Sequence, residues 1–399
     1  MTTVTKLKAI EFFDGLHFAT IITNLYAIFH GVPLYHAVLA QSVYSAVVLL
    51  MEVPTGIVAD KFGRKTSLVL GYIMGALGLV VLAISPTVIG LYITQLFRAT
   101  GSALVSGASE AVLFEAAKEE GLDYKKQSSI VLSNGIAGLC FAGIISGVVY
   151  SQYDNRSFVP LLYASVATQV IATILALSLN DSKDNANKSI LKKELRTWEM
   201  LANLMTLMRK NKTIFAFTMV GLLTVCNEYF LYGTYGPYFK EIGVNNFWVG
   251  AAFSLGLLVN FFLQRNIYKI EQYLTFEKAL VLIKLGTILG YLGLAALTQS
   301  TLVVVILIST IGVFNIERPI VSDIVNQEMD NSIRATVLSG MSLMSRLSKM
   351  GLTLVMGAIV AGATLQLSYL VMGIFVSVGL AISYWLLVRC GCVRRFANV

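Results

Sequence analysis

Charged residues are scarce in this chain. They make up 13% of its 399 residues, against about 25% in a typical soluble domain. Hydrophobic residues make up 56%, and the mean hydropathy is +0.74. This combination excludes a soluble multidomain protein and indicates that most of the chain folds with the lipid bilayer as its solvent.

Residues and motifs that carry enzyme chemistry are also few. All three histidines lie within the first 36 residues, and the four cysteines include no Cys-x-x-Cys pair, so we expect no metal site. The sequence has no glycine-rich phosphate loop, no His-Glu-x-x-His and no serine nucleophile elbow. We therefore expect neither an enzyme nor a cofactor. The basic residues are not interleaved with aromatic ones as in a nucleic-acid binder.

Long apolar runs dominate the sequence instead. A membrane-spanning helix needs about 20 apolar residues, and twelve runs meet this length. The runs are 10–31, 36–58, 66–85, 88–112, 129–151, 158–179, 213–236, 247–265, 276–298, 301–325, 334–361 and 366–389. The predicted fold class is an all-α integral membrane protein with twelve transmembrane helices.

A polar segment divides these runs into two sets of six. We predict an N-terminal six-helix bundle (1–180), a cytoplasmic linker with an amphipathic helix (181–212) and a C-terminal six-helix bundle (213–399). Lys and Arg concentrate on one side of this topology, and cytoplasmic loops carry the excess of these residues. Both termini are therefore expected in the cytoplasm, with the chain crossing the cell inner (plasma) membrane many times.

Several charged residues separate the second and third runs, in the segment 56–66. Its residues fit the pattern Gly-x-x-x-Asp-(Arg/Lys)-x-Gly-(Arg/Lys)-(Arg/Lys). A charge inside the bilayer costs about 2.5–3.5 kcal/mol or more, so we expect a tight cytoplasmic hairpin here. Gly56 would allow a neighbouring helix to approach closely, and Gly63 would allow a tight bend.

This segment resembles the loop between helices 2 and 3 of the major facilitator superfamily of secondary transporters. The resemblance implies two pseudo-symmetric bundles that rock about a mid-membrane site. It also implies a conformational latch, formed here by Gly56, Asp60, Lys61, Gly63, Arg64 and Lys65. The alternative is a solvated loop that serves only the topology.

Two further segments match the superfamily in part. Arg98 lies within helix 4, and the resemblance implies that it biases the protonation of a nearby carboxylate; a structural arginine bonded to backbone carbonyls is the alternative. Helix 5 keeps Gly138, Gly143 and Gly147 of an exporter signature, but has Ile144 in place of its proline. This spacing favours close helix packing and points towards export.

Carboxylates inside the apolar runs are the sharpest functional candidates. Burial favours the neutral form of a carboxyl group, so such a group can take up and release a proton. Asp14 and Glu228 are the leading proton sites, with Glu317 as a third. Each also has a structural alternative, such as an ion pair between Glu317 and Arg346, and Glu11 is expected at the cytoplasmic interface or in the membrane.

The resemblance places helices 1, 4, 7 and 10 around the central cavity. The residues predicted to line it are His17, Asn24, Asn227, Tyr232, Tyr235 and Arg318. Tyr238 and Phe239, at the end of helix 7, are expected in the aromatic belt at the membrane interface.

The sequence therefore predicts a monomeric, proton-coupled exporter of a small amphiphilic compound, such as a drug, a peptide antibiotic or a siderophore. Its partners would be this substrate, protons and the lipid bilayer, and no nucleic acid. Two alternatives stay open. One is a proton-coupled importer of a small nutrient, and the other is a non-transporting membrane receptor on the same fold.

Overall fold

The computed structural model describes residues 2–179, 228–266, 276–314 and 331–389, together with residue 316 and scattered positions between 205 and 219. Within these ranges every regular element is helical. The chain divides into two compact units. The first comprises Met1–Glu194 and Asn245–Ser254, and the second comprises Leu195–Val244 and Leu255–Val399. The predicted linker falls almost wholly outside the described residues, so the predicted domain boundaries stay a prediction.

The first unit is built from seven helices and one 3-10 turn. The helices are α1 (Thr3–Gly15), α2 (Ala19–Phe29), α3 (Leu34–Phe62), α4 (Arg64–Ile84), α5 (Val88–Glu119), α6 (Tyr124–Tyr153) and α7 (Phe158–Leu177), with the turn at Asp154–Ser157. Side-chain caps begin three of them, because Thr2, Thr87 and Asp123 accept hydrogen bonds from backbone N–H groups of the first turn. Such caps satisfy donors that a helix start otherwise leaves free.

The second unit contributes the remaining helices of the described chain. They are α8 (Glu228–Glu241), α9 (Phe247–Arg265), α10 (Phe276–Ala296), α11 (Ser300–Val313), α12 (Asn331–Gly362) and α13 (Leu365–Arg389). The first residues of α9 belong to the first unit.

The described helices agree with the predicted twelve-span architecture. Nine stretches are long and apolar enough to cross a membrane, and one of them, Lys126–Leu177, has 52 residues and is long enough for two spans. Helices α8 and α11 both border residues outside the described ranges and supply the remaining two positions.

Large apolar side chains cover the outside of these helices. Only 33–50% of each spanning window is buried inside the protein, and Leu50, Ile84, Ile174 and Leu289 are among the many exposed apolar residues. Soluble monomers rarely expose apolar patches of this extent. The exposed surface is therefore the face that contacts lipid.

The core of the first unit forms around α1. Val4, Leu7 and Ile10 of this helix are buried against α4, α5, α6 and α7. Because α1 is surrounded by other helices, its polar residues are shielded from lipid as well, and this places Glu11 and Asp14 inside the unit.

The predicted hairpin at 56–66 is much shorter than expected. Helix α3 continues through Phe62 and α4 begins at Arg64, so Gly63 alone is non-helical. Its φ of +93° is the backbone conformation that glycine adopts without strain. The charged residues around it remain helical because they lie at helix ends, where a helix can continue beyond the apolar layer.

Candidate functional site

The first membrane span is broken in the middle. Helix α1 ends at Gly15, and α2 begins at Ala19. Leu16 has a ψ of 55°, outside the helical range, and the His17 N–H donates to the Gly15 carbonyl at 2.6 Å. The span predicted over 10–31 is present, as Thr3–Phe29, but it consists of two helices. Apolar length, which was the basis of the prediction, does not detect a break that contains no proline.

Hydroxyl groups from two neighbouring helices satisfy the backbone of this break. The Ala19 N–H donates to Ser165 Oγ at 2.8 Å, and Thr168 Oγ1 donates to the Leu16 carbonyl at 3.0 Å. Ser146 Oγ of α6 donates to the Phe18 carbonyl at 3.2 Å. Freed backbone groups are tolerated at membrane depth only when side chains or water bond them, so these hydroxyls make the break possible.

A cavity of about 490 Å³ lies beside the break, inside the first unit. Every helix from α1 to α7 contributes to its wall. Its ionisable side chains include Glu11, Asp14, His17 and Arg98. Asp14 and His17 are neighbours in the sequence, and the structure brings Arg98 to the same cavity. Glu11 joins them, instead of lying at the cytoplasmic interface.

Each of the two carboxylates has its own hydrogen-bond donor. Gln169 Nε2 donates to Asp14 Oδ1 at 2.7 Å, and Ser109 Oγ donates to Glu11 Oε1 at 3.2 Å. The two carboxylates also interact electrostatically with each other, and the Arg98 guanidinium interacts with Asp14. Two carboxylates and one guanidinium leave one net negative charge when all are ionised.

Tyr72 and Gln169 are among the polar cavity residues that the sequence did not identify, and Ser109, the donor to Glu11, is a further one outside the cavity lining. Gln169 is 4% exposed and Tyr72 is 2% exposed, so both are buried deep in the unit. The signal that the sequence offered for Gln169 was the presence of a glutamine inside the apolar run 158–179. The described residues contain no group of three or more His, Cys, Asp or Glu side chains that could hold a metal ion.

The second unit carries an ion pair at the start of α8. Lys349 Nζ of α12 donates to Glu228 Oε1 at 3.0 Å and lies 4.2 Å from the centre of the Tyr229 ring. Both charged side chains are largely shielded from solvent, at 12% and 14% exposure. The partner Lys349 was not identified from the sequence, nor was Lys284 of α10, which is also buried. The proton-site role of Glu228 stays a prediction.

The aromatic end of α8 packs into the second unit. Tyr235 is buried against Phe239, and Tyr232 is half-buried with its ring 6.0 Å from that of Phe314. Their cavity roles stay predictions. The expectation of an interfacial belt at Tyr238 and Phe239 is wrong, because both are fully buried. The Tyr238 hydroxyl instead donates to two backbone carbonyls, of Leu294 and Leu297.

The remaining predicted site residues are placed as follows. Asn24 is half-buried on α2, outside the lining of the cavity, and engages a partner there. Asn227, Glu317 and Arg318 lie outside the described residues.

The predicted latch residues lie at the junction of α3 and α4. Arg64 forms an ion pair with Glu115 of α5, and its Nη1 lies 3.4 Å from the Ala111 carbonyl. Lys61 lies over the Phe62 ring at 5.4 Å. The remaining four are Gly56 and Asp60, both within α3, Gly63, which joins the two helices, and Lys65, in the first turn of α4. Arg64 thus connects the start of α4 to the end of α5.

The glycines of α6 allow the close helix packing that their spacing predicts. A Cβ at Gly138 would lie 2.3 Å from the Phe12 carbonyl oxygen of α1. A Cβ at Gly147 would lie 2.5 Å from the Phe247 carbonyl oxygen, in the segment of α9 that belongs to the first unit. Real Cβ atoms do not approach so closely, so a larger residue at either position would displace the neighbouring backbone.

A comparison with protein families shows to which family this helical protein belongs. The profile of the Major Facilitator Superfamily matches residues 9–350. The chain belongs to the Major Facilitator Superfamily. Membership accounts for the twelve spans and for the charged segment between the second and third of them.

Two relatives by sequence are uncharacterized transporters. An uncharacterized transporter of Buchnera aphidicola subsp. Schizaphis graminum is 24% identical over 168 residues, which is 40% of each chain. One from Buchnera aphidicola subsp. Acyrthosiphon pisum is 27% identical over 180 residues, covering 45% of this chain and 43% of the relative. The chain thus spans about two fifths of the length of these relatives.

Solved structures of the superfamily share the fold over nearly the whole chain. The nucleoside transporter NupG has a TM-score of 0.79 at 17% identity, with 97% of this chain and 99% of that chain covered. A D-xylose–proton symporter has a TM-score of 0.66 at 14% identity, with 94% and 95% covered. A bacterial homologue of the lysosomal transporter Spinster has a TM-score of 0.74 at 14% identity, with 99% and 97% covered. At these identities the likeness concerns the fold alone.

Proposed function

We propose that this chain is a secondary transporter that uses a proton gradient to export a small amphiphilic compound by alternating access. The observation that carries the proposal is the cavity of the first unit. Glu11, Asp14 and Arg98 all line this cavity, which lies beside the broken first span. Broken helices that bring ionisable groups to mid-membrane depth are typical of substrate and coupling-ion sites in secondary transporters.

The proton would bind to the pair of carboxylates, Glu11 and Asp14. The two groups lie three residues apart on α1 and are therefore neighbours on the helix surface, so the charge of one would act on the protonation of the other. Arg98 interacts with Asp14 and reduces the negative charge of the pair to one net unit. Binding of a single proton neutralises the site, which is the change needed for the cavity to switch sides without carrying a buried charge.

The same charge balance would lead to the exchange of protons for substrate. One proton or one cationic substrate can neutralise the cavity, and simultaneous binding of both would leave a net positive charge in a low-dielectric site. Apolar residues of α5 and α6, including Val105, Leu132, Ile136 and Leu139, line the cavity together with the charged groups. A ligand with a charged end and an apolar body fits both sets of residues, which supports an amphiphilic substrate.

The remaining assignments belong to the same proposal. The chain would reside in the cell inner (plasma) membrane as a monomer with both termini in the cytoplasm, because the Lys and Arg excess lies on that side. The ion pair of Arg64 and Glu115 would act as part of the cytoplasmic latch. Glu228, paired with Lys349, would respond to substrate or protons in the second unit.

Uptake of a polar nutrient is the second candidate. It is favoured by the fold likeness to proteins named as a nucleoside transporter and a D-xylose–proton symporter. The buried Gln169 amide at the edge of the cavity could also serve a hydroxylated ligand. Uptake would use the same carboxylates with the proton and substrate moving in the same direction.

Transport in proteoliposomes of known orientation separates these functions. The purified protein would be reconstituted, a pH gradient of either sign imposed, and the accumulation of amphiphilic amines, nucleosides and pentoses measured with and without an uncoupler. If the protein exports amines, an amine should accumulate on one side of the membrane while protons move in the opposite direction. The uncoupler should abolish this accumulation. Movement of a sugar or nucleoside together with protons would favour uptake. No gradient-dependent movement of any compound would favour a receptor.

A further inference from the structure

We propose that the cavity of the first unit is a binding site for a primary or secondary organic ammonium ion, with the Glu11 carboxylate as its counter-ion and the Tyr72 hydroxyl as a hydrogen-bond acceptor for its N–H group. The proposal rests on the transport function above and names the chemical class of the substrate and the residues that select it. It assigns different tasks to the two carboxylates of α1.

The end of α1 makes this part of the cavity favourable for positive charge. The helix stops at Gly15, so its last backbone carbonyls point towards the break and carry the negative end of the helix dipole. Glu11 and Asp14 lie in the last two turns, and the last turn contains no basic residue. The carbonyl groups and the carboxylates therefore attract a cation to the same place.

The two carboxylates differ in how strongly the protein already engages them. Asp14 accepts a hydrogen bond of 2.7 Å from Gln169, which is buried, and also interacts with the Arg98 guanidinium. Glu11 accepts one hydrogen bond of 3.2 Å, from the neutral Ser109 hydroxyl. Its second oxygen, Oε2, lies beside Gly135, where the absence of a side chain leaves space. Glu11 is therefore the carboxylate that can pair with a ligand.

Tyr72 is an independent indication of a ligand at this position. Its side chain lines the cavity together with Glu11 and Asp14 and is 2% exposed. Within the described part of the chain its hydroxyl has no hydrogen-bond partner. A buried hydroxyl without a partner is costly, and an N–H group held by Glu11 would supply one.

The size and the remaining wall of the cavity favour an organic ion over a bare metal ion. The volume of about 490 Å³ is within the range of small-molecule sites. Leu132, Ile136 and Leu139 of α6 form an apolar surface next to the carboxylates. This surface would bury the hydrocarbon part of the ligand, whereas a metal ion would leave it unused.

Equilibrium binding to the purified full-length protein in detergent tests this assignment without any gradient. The probes are phenylbutylamine, its trimethylammonium derivative, which has the same charge but no N–H group, and phenylbutanol, which is neutral. Isothermal titration calorimetry gives the dissociation constants for the wild type and for the variants Glu11→Gln and Tyr72→Phe.

We expect the amine to bind and the alcohol to bind at least about tenfold more weakly, as the loss of a charge-assisted contact implies. Glu11→Gln should weaken both cations by a similar factor. Tyr72→Phe should weaken the amine several-fold and leave the trimethylammonium probe unchanged, because only the amine donates to the hydroxyl. Equal affinity for the alcohol and the amine, or unchanged amine binding in Glu11→Gln, would overturn the proposal. An equal effect of Tyr72→Phe on both cations would refute the role of Tyr72.

Two variants control for general damage to the protein. Glu110→Gln removes an exposed carboxylate of α5 outside the cavity lining, and Tyr150→Phe removes another buried hydroxyl without a partner in the described ranges. Both should bind the probes like the wild type. A loss of amine binding in either control would show that the measurement reports stability instead of recognition, and would count against the proposal. Proton coupling is measured separately, in liposomes, so a failure of transport is distinguishable from a failure of binding.

Discussion

Three ionisable side chains of the cavity, Glu11, Asp14 and His17, are each bonded by a side chain from a different helix. Asp14 of α1 is bonded by Gln169 of α7, Glu11 by Ser109 of α5, and His17 lies 3.1 Å from Thr20 Oγ1 of α2. The sequence identified Asp14 and His17 because an ionisable group in an apolar run is rare. It could not identify the donors to Glu11 and Asp14, since Ser109 and Gln169 lie about a hundred or more residues further along the chain.

The Glu228–Lys349 pair allows a quantitative test at the residue scale. Each single replacement, Glu228→Gln or Lys349→Met, leaves one shielded charge without its partner, and breaking such a pair destabilises a protein by about 3–5 kcal/mol when it is fully buried. We expect a smaller loss here, since both side chains retain some exposure. The double variant should recover much of it. Thermal unfolding in detergent of the wild type, the two single variants and the double variant gives the stabilities that this double-mutant cycle compares.

The cycle also has an outcome that would contradict the pairing. Additive effects of the two replacements would mean that the two charges do not interact in the folded protein. Arg265→Gln, which removes a basic residue at the end of α9, serves as the control, because it leaves the pair intact.

At the scale of elements, the most important feature is the break between α1 and α2. The apolar runs, the extent of most spans and the bend at Gly63 could be predicted, because each depends on neighbouring residues in the sequence. The break could not, since it depends on hydroxyls of α6 and α7 that reach the backbone of the first span only in the folded unit. The same reason explains why Tyr238 and Phe239, expected at the membrane interface, are buried instead.

Removing the hydroxyls that support the break should destabilise the first unit. Ser165→Ala would leave the Ala19 N–H without its acceptor, and Thr168→Val would leave the Leu16 carbonyl without its donor. An unsatisfied buried backbone group costs about 1–3 kcal/mol. Each variant should therefore lower the melting temperature in detergent, and the double variant should lower it further.

Thr173→Val is the matched control on the same helix. Its hydroxyl donates to the Gln169 carbonyl one turn earlier at 2.8 Å, and that carbonyl belongs to the interior of α7. Its replacement should have little effect. If Ser165→Ala and Thr168→Val were as harmless as this control, the hydroxyls would not be needed to hold the break.

At the scale of the whole molecule, transport requires that structural changes occur at the cytoplasmic ends of the helices as the cavity changes sides. The segment 56–66 was identified from the sequence as a latch, and the structure adds the partner of Arg64, which is Glu115 of α5. The partner was not predictable from the motif, because Glu115 lies outside the segment 56–66, on α5. Whether the pair controls the rate of transport is a prediction.

Charge reversal tests the latch. Arg64→Glu places a negative charge beside Glu115 and should lower the turnover rate several-fold, with little change in substrate affinity in detergent. The combined variant Arg64→Glu/Glu115→Arg restores opposite charges and should recover much of the rate. Initial rates in proteoliposomes give the comparison. A fall in affinity with an unchanged rate would make this segment a binding element instead.

The central claim is that the carboxylate pair of α1 couples proton movement to substrate movement. The most direct measurement compares two processes in liposomes that contain Asp14→Asn: exchange of labelled for unlabelled substrate without a gradient, and accumulation driven by a pH gradient. We predict that gradient-driven accumulation is lost and that exchange becomes slower, because the empty cavity of the variant is already neutral without a proton and its substrate-loaded cavity carries a net positive charge. Accumulation at the wild-type level by Asp14→Asn would contradict this account.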